Sequence, residues 1–267
     1  MSNNNIPFLE MKGIVKRFGA LTAVDNVDLS VDRGEVLALV GENAAGKSTL
    51  IKVLTGVYQA NQGEIFIEGD KVEINNRKDS QKFGIEAVYQ DLALVPQLDV
   101  PGNLFLGKEP SKKILGGLFK VIDNKKLEEQ TRDILKDNLN MEIENFNDPV
   151  INHSGGQQQS IAIGRALASE CDLIVMDEPT ASLGVEEIDM TFEIVRQLKQ
   201  NNVAVIFISH NLEHVFEVCD KVLVMRMGER VGYMDIEDAT REKLVSLMVH
   251  GRDEEEKSEK AVANKTV

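Results

Sequence analysis

The stretch VLALVGENAAGKSTLIKVL, residues 36–54, decides the fold. Val36 to Val40 is an unbroken, β-rich apolar run, the pattern of a strand covered on both faces. Ser48 to Leu54 reads as a helix stopped by Gly56. The loop between them, GENAAGKST at 41–49, has the spacing GxxxxGK[ST]. Gly41 and Gly46 let the backbone turn back on itself, so that its N–H groups converge at a helix N-terminus whose dipole favours anions. Gly41, Glu42, Asn43, Ala44, Ala45, Gly46, Lys47, Ser48 and Thr49 therefore form the predicted phosphate-binding segment. In it Lys47 reaches the β- and γ-phosphates, and the Ser48 hydroxyl holds Mg²⁺.

Outward from this loop, strand-like alternation covers Phe8 to Ile14 and Val24 to Val31, and strands Glu64 to Glu68 and Val72 to Ile74 follow the helix. Together they predict a small antiparallel layer. Ile85 to Tyr89, Leu173 to Met176, Val203 to Ile208 and Val222 to Met225 are short apolar runs that alternate with helical patterns, the mark of a parallel sheet with crossover helices. One such helix places Ile188, Phe192, Val195 and Leu198 on one face. Between Asp91 and about Ser154 the β signal disappears, and Lys125 to Leu139 has helical spacing. The fold class is thus α/β: a P-loop core with a parallel sheet, a small antiparallel β layer and an inserted helical subdomain. Residues 1–251 are expected to form one domain, with core and β layer in 8–90 and 155–251 and the helical subdomain at roughly 91–154. Residues 252–267, RDEEEKSEKAVANKTV from Arg252, are almost free of apolar side chains and read as a disordered charged tail.

At 267 residues and 42% hydrophobic content the chain can bury a large core. No apolar run approaches the ~20 residues needed to cross a bilayer, and MSNNNIPFLE lacks the basic and apolar regions of a signal peptide. An intracellular protein is expected. A net charge of −14 argues against a nucleic-acid partner, because such binding rests on clustered Lys and Arg. Cys171 and Cys219 are isolated among apolar residues and read as reduced packing groups.

Two further segments carry chemistry. LIVMDE, 173–178, is an apolar strand ending in two carboxylates. Asp177 at its C-terminal tip would meet Mg²⁺ beside the phosphate loop, since ligands of open α/β sheets gather at that edge, and Glu178 is the candidate base for the attacking water. HSGGQ, 153–157, opens a helix at Ser154, Gly155, Gly156 and Gln157, whose free N–H groups make a second anion-binding end.

HSGGQ, with QQSIAIGRALASECDLIVMDEPTAS after it, resembles the signature sequence of the ATP-binding cassette (ABC) family, usually LSGGQ. The resemblance covers about Phe8 to Gly251. It implies ATP as the nucleotide and twofold pairing with a second copy, in which Ser154–Gly156 of each closes over the γ-phosphate held by Lys47 of the other. It also implies roles for three residues. Gln90 looks like the loop glutamine that touches Mg²⁺ or the attacking water, His210 like the switch histidine at the γ-phosphate, and Phe18 like the aromatic that stacks on adenine. His210 and His214, four apart, do not suggest zinc, because a strand end and a turn separate them from a shared helical face.

GVYQANQGEIFIEGDKV, FGIEAVYQDLALVPQLDVPGNLFLG and SHNLEHVFEVCDKVLVMRMGERV resemble the ATPase subunits of bacterial monosaccharide importers of the ribose, xylose and fructose type. Many relatives fuse two cassettes, so a single cassette implies a homodimer beneath transmembrane permease subunits, served by a periplasmic or extracellular sugar-binding protein. That places the chain in the cytoplasm, peripheral on the inner face of the membrane, with Asp91–Gly107 docking on the permease. Three positions depart from the family pattern: Ala44 where glycine is usual, His153 for leucine before the signature serine, and Gly184 where most relatives have aspartate. If position 44 needs φ > 0, nucleotide is held less tightly. The other readings are an ABC ATPase for another cargo, a soluble non-transport cassette ATPase, and a scaffold that binds ATP without turnover.

Overall fold

The computed structural model describes residues 6–251 apart from 115–118, 142 and 144–145. The tail expected from Arg252 to Val267 lies outside them. In chain order the elements are β1 (Leu9–Phe18), β2 (Leu21–Val31), β3 (Val36–Val40), α1 (Lys47–Leu54), β4 (Gln62–Ile67), β5 (Asp70–Val72), α2 (Arg77–Lys82) and β6 (Ile85–Val88). There follow α3 (Val100–Leu104), β7 (Ser111–Ile114), β8 (Phe119–Ile122), α4 (Asn124–Asp133), α5 (Gly155–Leu167), β9 (Leu173–Asp177) and α6 (Val185–Gln200). The chain closes with β10 (Ala204–Ile208), α7 (Leu212–Val218), β11 (Lys221–Arg226), β12 (Glu229–Asp235) and α8 (Arg241–His250).

A six-stranded sheet has the order β12-β11-β3-β10-β9-β6. Its pairings are parallel except for β12, which runs antiparallel on the edge against β11. The five residues of β3 are all buried because the sheet is covered twice. Val36, Ala38 and Val40 face a core shared with α5, α6 and α7, where Ile163, Val195 and Val215 meet Val205 and Phe207. Leu37 and Leu39 face the other way, onto Leu50 and Leu54 of α1 and onto Met11, Val27 and Leu29 of the second sheet. That second sheet is antiparallel, with order β2-β1-β4-β5. The predicted parallel core and antiparallel layer are both present. Phe207 is fully buried, so its truncation to alanine would cost about 3–5 kcal/mol.

The stretch 91–154 departs from the helical reading. It contains α3 and α4, but also an antiparallel hairpin in which Ser111 faces Ile122 and Lys113 faces Lys120. Side chains on β8 are exposed, and Lys112 and Lys113 on β7 are as well. With no buried face among its described side chains, the hairpin lacks the half-buried alternation that signals a strand. Lys125–Leu139 is not one uniform helix either, since α4 gives way to a π-helical turn at Ile134–Asn138. β12 also lies outside the sequence expectation. It is an edge strand interrupted by Gly232, with Glu229 and Asp235 exposed at its ends.

Candidate active site

The buried strand β3 delivers the chain to Gly41, where a Cβ would collide with the carbonyl oxygen of Met225. Gly46, at φ 105°, precedes α1, and a Cβ there would lie 2.6 Å from the Ala23 carbonyl oxygen. Both glycines are therefore required by close backbone approach as well as by conformation. The loop is held from behind. Gly228 N–H donates to the Ala45 carbonyl at 2.9 Å, and Asp25 N–H donates to the Gly228 carbonyl at 2.8 Å. Ala44 has φ 63°, so the condition set by the sequence is met: an alanine occupies the left-handed region.

One cavity brings together Gly41, Glu42, Asn43, Lys47, Ser48, Gln90, Asp177, Glu178 and His210. Lys47 Nζ donates to the carbonyls of Gly41 at 2.7 Å and Glu42 at 3.0 Å, which folds the ammonium back over the loop. Burial lowers its pKa, while Glu178 and Asp177 pull the other way. Asp177 ends β9. Burial and the neighbouring Glu178 charge raise its pKa, and Lys47 offsets part of this. Glu178 stands at φ 53° just past the strand, and its N–H donates to the Ile208 carbonyl at 3.0 Å. Its Oε2 lies 2.8 Å from His210 Nδ1. The carboxylate is thus oriented by a histidine that projects from the end of β10 into solvent, with a side chain 73% exposed. Gln90 follows β6 by two residues and is exposed.

An adjoining cavity is lined by Phe18, Asn43, Ala44, Ala45, Gly46, Lys47, Ser48 and Thr49. The Phe18 ring packs edge-on against Tyr58 at a centroid distance of 5.1 Å, and Lys16 Nζ sits 5.1 Å from its centroid.

Ser154–Gln157 line neither of these two cavities. They cap α5 instead. Gln157 N–H donates to Ser154 Oγ at 3.3 Å, and Ser154 N–H donates to Gln157 Oε1 at 3.0 Å, a reciprocal capping box. His153 is buried just before it, and its Nε2 has no hydrogen-bond partner among the described residues.

Contacts outside the sequence reading also shape this region. Arg165, in the last turn of α5, donates to the Leu92 and Ala93 carbonyls, both at 2.7 Å, and so ties the segment after Gln90 to the signature helix. Thr180 Oγ1 lies 2.9 Å from His214 Nδ1, and Asn211 Nδ2 lies 3.0 Å from His214 Nε2, so both ring nitrogens of His214 are engaged within the protein. Glu187, in the first turn of α6, accepts from Gly156 N–H at 3.0 Å and Gly184 N–H at 3.1 Å. A glutamate three residues after a helix-opening glycine is a readable capping signal; its reach to Gly156 is not. Cys171 and Cys219 are free and buried, and burial pushes the Cys171 thiol up to about 12.

No group of three His, Cys, Asp or Glu among the described residues could hold a metal by itself. The oxygen donors Ser48, Gln90 and Asp177 in one cavity suit Mg²⁺, which takes few protein ligands and completes its shell with water and substrate phosphates.

A glycine loop at a helix N-terminus, beneath the carboxyl ends of a parallel sheet, defines a P-loop nucleotide-binding protein. The ABC transporter family model matches residues 24–181, more than half of the chain, and the chain belongs to that family. It is 43% identical over 243 residues to the ribose import ATP-binding protein RbsA of Caldanaerobacter subterraneus subsp. tengcongensis, covering 91% of this chain and 48% of that protein. It is 39% identical over 248 residues to the fructose import ATP-binding protein FrcA of Rhizobium meliloti, covering 92% and 95%. The chain thus spans about half the length of the ribose relative and nearly all of the fructose one. Among solved structures it resembles MJ1267, an ATP-binding cassette of an ABC transporter in its ADP conformation, with a TM-score of 0.76 and 28% identity over 91% of this chain and 95% of that one. No helix among the described residues is long and apolar enough to cross a membrane.

Proposed function

We propose that this chain is the ATP-binding, ATP-hydrolysing subunit of an importer for a monosaccharide, working as a dimer under a membrane permease on the cytoplasmic face. The observation that carries the proposal is the Glu178–His210 pair at 2.8 Å, in one cavity with Lys47 and Asp177. A nucleotide-binding scaffold needs the loop and Lys47; it does not need a carboxylate oriented by a histidine beside it.

Lys47 and the loop N–H groups would hold the β- and γ-phosphates. Phe18 would stack on the adenine. Ser48, Asp177 and Gln90 would hold Mg²⁺, which when bound neutralises charge on the phosphate oxygens. Glu178 would accept a proton from the attacking water, and His210 would fix the orientation of Glu178 and contact the γ-phosphate. Ser154, Gly155, Gly156 and Gln157 would seal the same phosphate from a second copy, giving two sites by twofold symmetry. Closing and parting of the pair would drive the permease. The sugar assignment rests on the import names of the ribose and fructose relatives. A sugar-binding protein outside the membrane would supply the cargo to the permease.

The test is ATP turnover by the chain reconstituted with its permease. Glu178→Gln should lower kcat by about 10²–10⁴-fold with Mg-ATP binding retained. Wild-type protein that binds ATP but stays inactive with the permease would instead establish the scaffold reading.

A further inference from the structure

The first turn of α6 lies across the N-terminus of the signature helix α5. Gly156 is buried, whereas Ser154 and Gly155 just before it are exposed. What covers it is Glu187: a Cβ on Gly156 would stand 3.1 Å from Glu187 Cβ and 3.2 Å from its Cγ. Above that stem the carboxylate divides its oxygens between two helices. Oε1 accepts from Gly156 N–H at 3.0 Å and Oε2 from Gly184 N–H at 3.1 Å. These backbone donors hold the Glu187 carboxyl below its usual pKa, so the group on the helix end is an anion. The same two helices touch again one turn further on, where Ser160 Oγ lies 3.8 Å from Met190 Sδ.

We propose that Glu187 is an intramolecular occupant of the anion-binding end of α5, holding Gly156 N–H until the γ-phosphate bound by a second copy displaces it. The inference rests on the shared-site reading above, in which that N–H receives the phosphate. Two anions cannot share one donor at hydrogen-bond distance, so closure of the dimer requires Glu187 to withdraw. Gly184 and Glu187 belong to the segment that leads from β9 into α6, just after Asp177 and Glu178. Withdrawal of Glu187 would therefore be felt in the same segment that carries the candidate base.

The test uses the full chain with Glu178→Gln to stall hydrolysis, and compares it with versions that also carry Glu187→Gln or Glu187→Ala. Glutamine keeps the shape and an acceptor but removes the charge. Monomer and dimer are quantified by sedimentation with Mg-ATP, and ATP affinity is measured separately at dilution. Both added substitutions should strengthen ATP-driven dimerisation about tenfold, with ATP affinity of the monomer unchanged. A merely structural cap predicts the opposite sign, because its loss would loosen α5 and weaken the dimer. A parent that dimerises while both variants gain nothing, or lose affinity, overturns the inference alone. Monomer throughout would overturn the shared-site reading and the inference with it.

Discussion

Ala44→Gly isolates the strain in the phosphate loop. Alanine at φ 63° costs about 1–2 kcal/mol relative to its right-handed conformation. The Ala44 side chain is exposed, so removing its methyl group forfeits little packing. Glycine brings its own cost of about 0.5–1 kcal/mol in extra chain freedom that folding must remove. The net relief is therefore about 0.7 kcal/mol, between limits of about 0 and 1.5 kcal/mol, and the central value is equivalent to a rise of about 1–3 °C in Tm for a domain of this size. If the loop relaxes when nucleotide leaves, the same relief tightens ATP binding about two- to fivefold. Calorimetric titration with Mg-ATP and a thermal melt, run on both proteins, read the two quantities. Equal affinities would discard the tighter-binding expectation, and equal affinities with equal Tm values would refute the strain itself.

Gly46→Ala should abolish measurable Mg-ATP binding and lower Tm, since the new Cβ would meet the Ala23 carbonyl oxygen at 2.6 Å in a conformation that alanine avoids; a titration with wild-type affinity would contradict this. His153→Leu removes a buried, unpartnered Nε2, and should raise stability by about 1–3 kcal/mol in denaturant unfolding, provided the leucine packs in the same space. Asp177→Asn should raise Tm at neutral pH while impairing Mg-ATP binding. Its folded pKa is raised, so the carboxyl favours folding below its unfolded pKa and that contribution is lost as pH rises through the folded value. The gain over wild type should accordingly shrink in melts taken at progressively lower pH.

The parallel core was legible because its strands are covered on both faces: Val36–Val40 and Leu173–Met176 are short runs with no polar interruption. The loop glycines, Lys47, Asp177, Glu178 and His210 were legible because each sits at a strand end or a helix start that the pattern already marked. The β7–β8 hairpin was not, because its described side chains bury no common face. Contacts that join distant segments were also hidden. Nothing in local spacing tells that Glu187 reaches Gly156, 31 positions away, or that Arg165 reaches Leu92 and Ala93, more than 70 positions away.

The hydrogen bonds that fasten Ala45 to Gly228 and Gly228 to Asp25 make the phosphate loop an anvil shared by both sheets. Neither sheet can slide past the other without loosening it. Substitutions around Ala23, Asp25 and Gly228 should therefore disturb nucleotide grip, because these residues back the loop through their main chain.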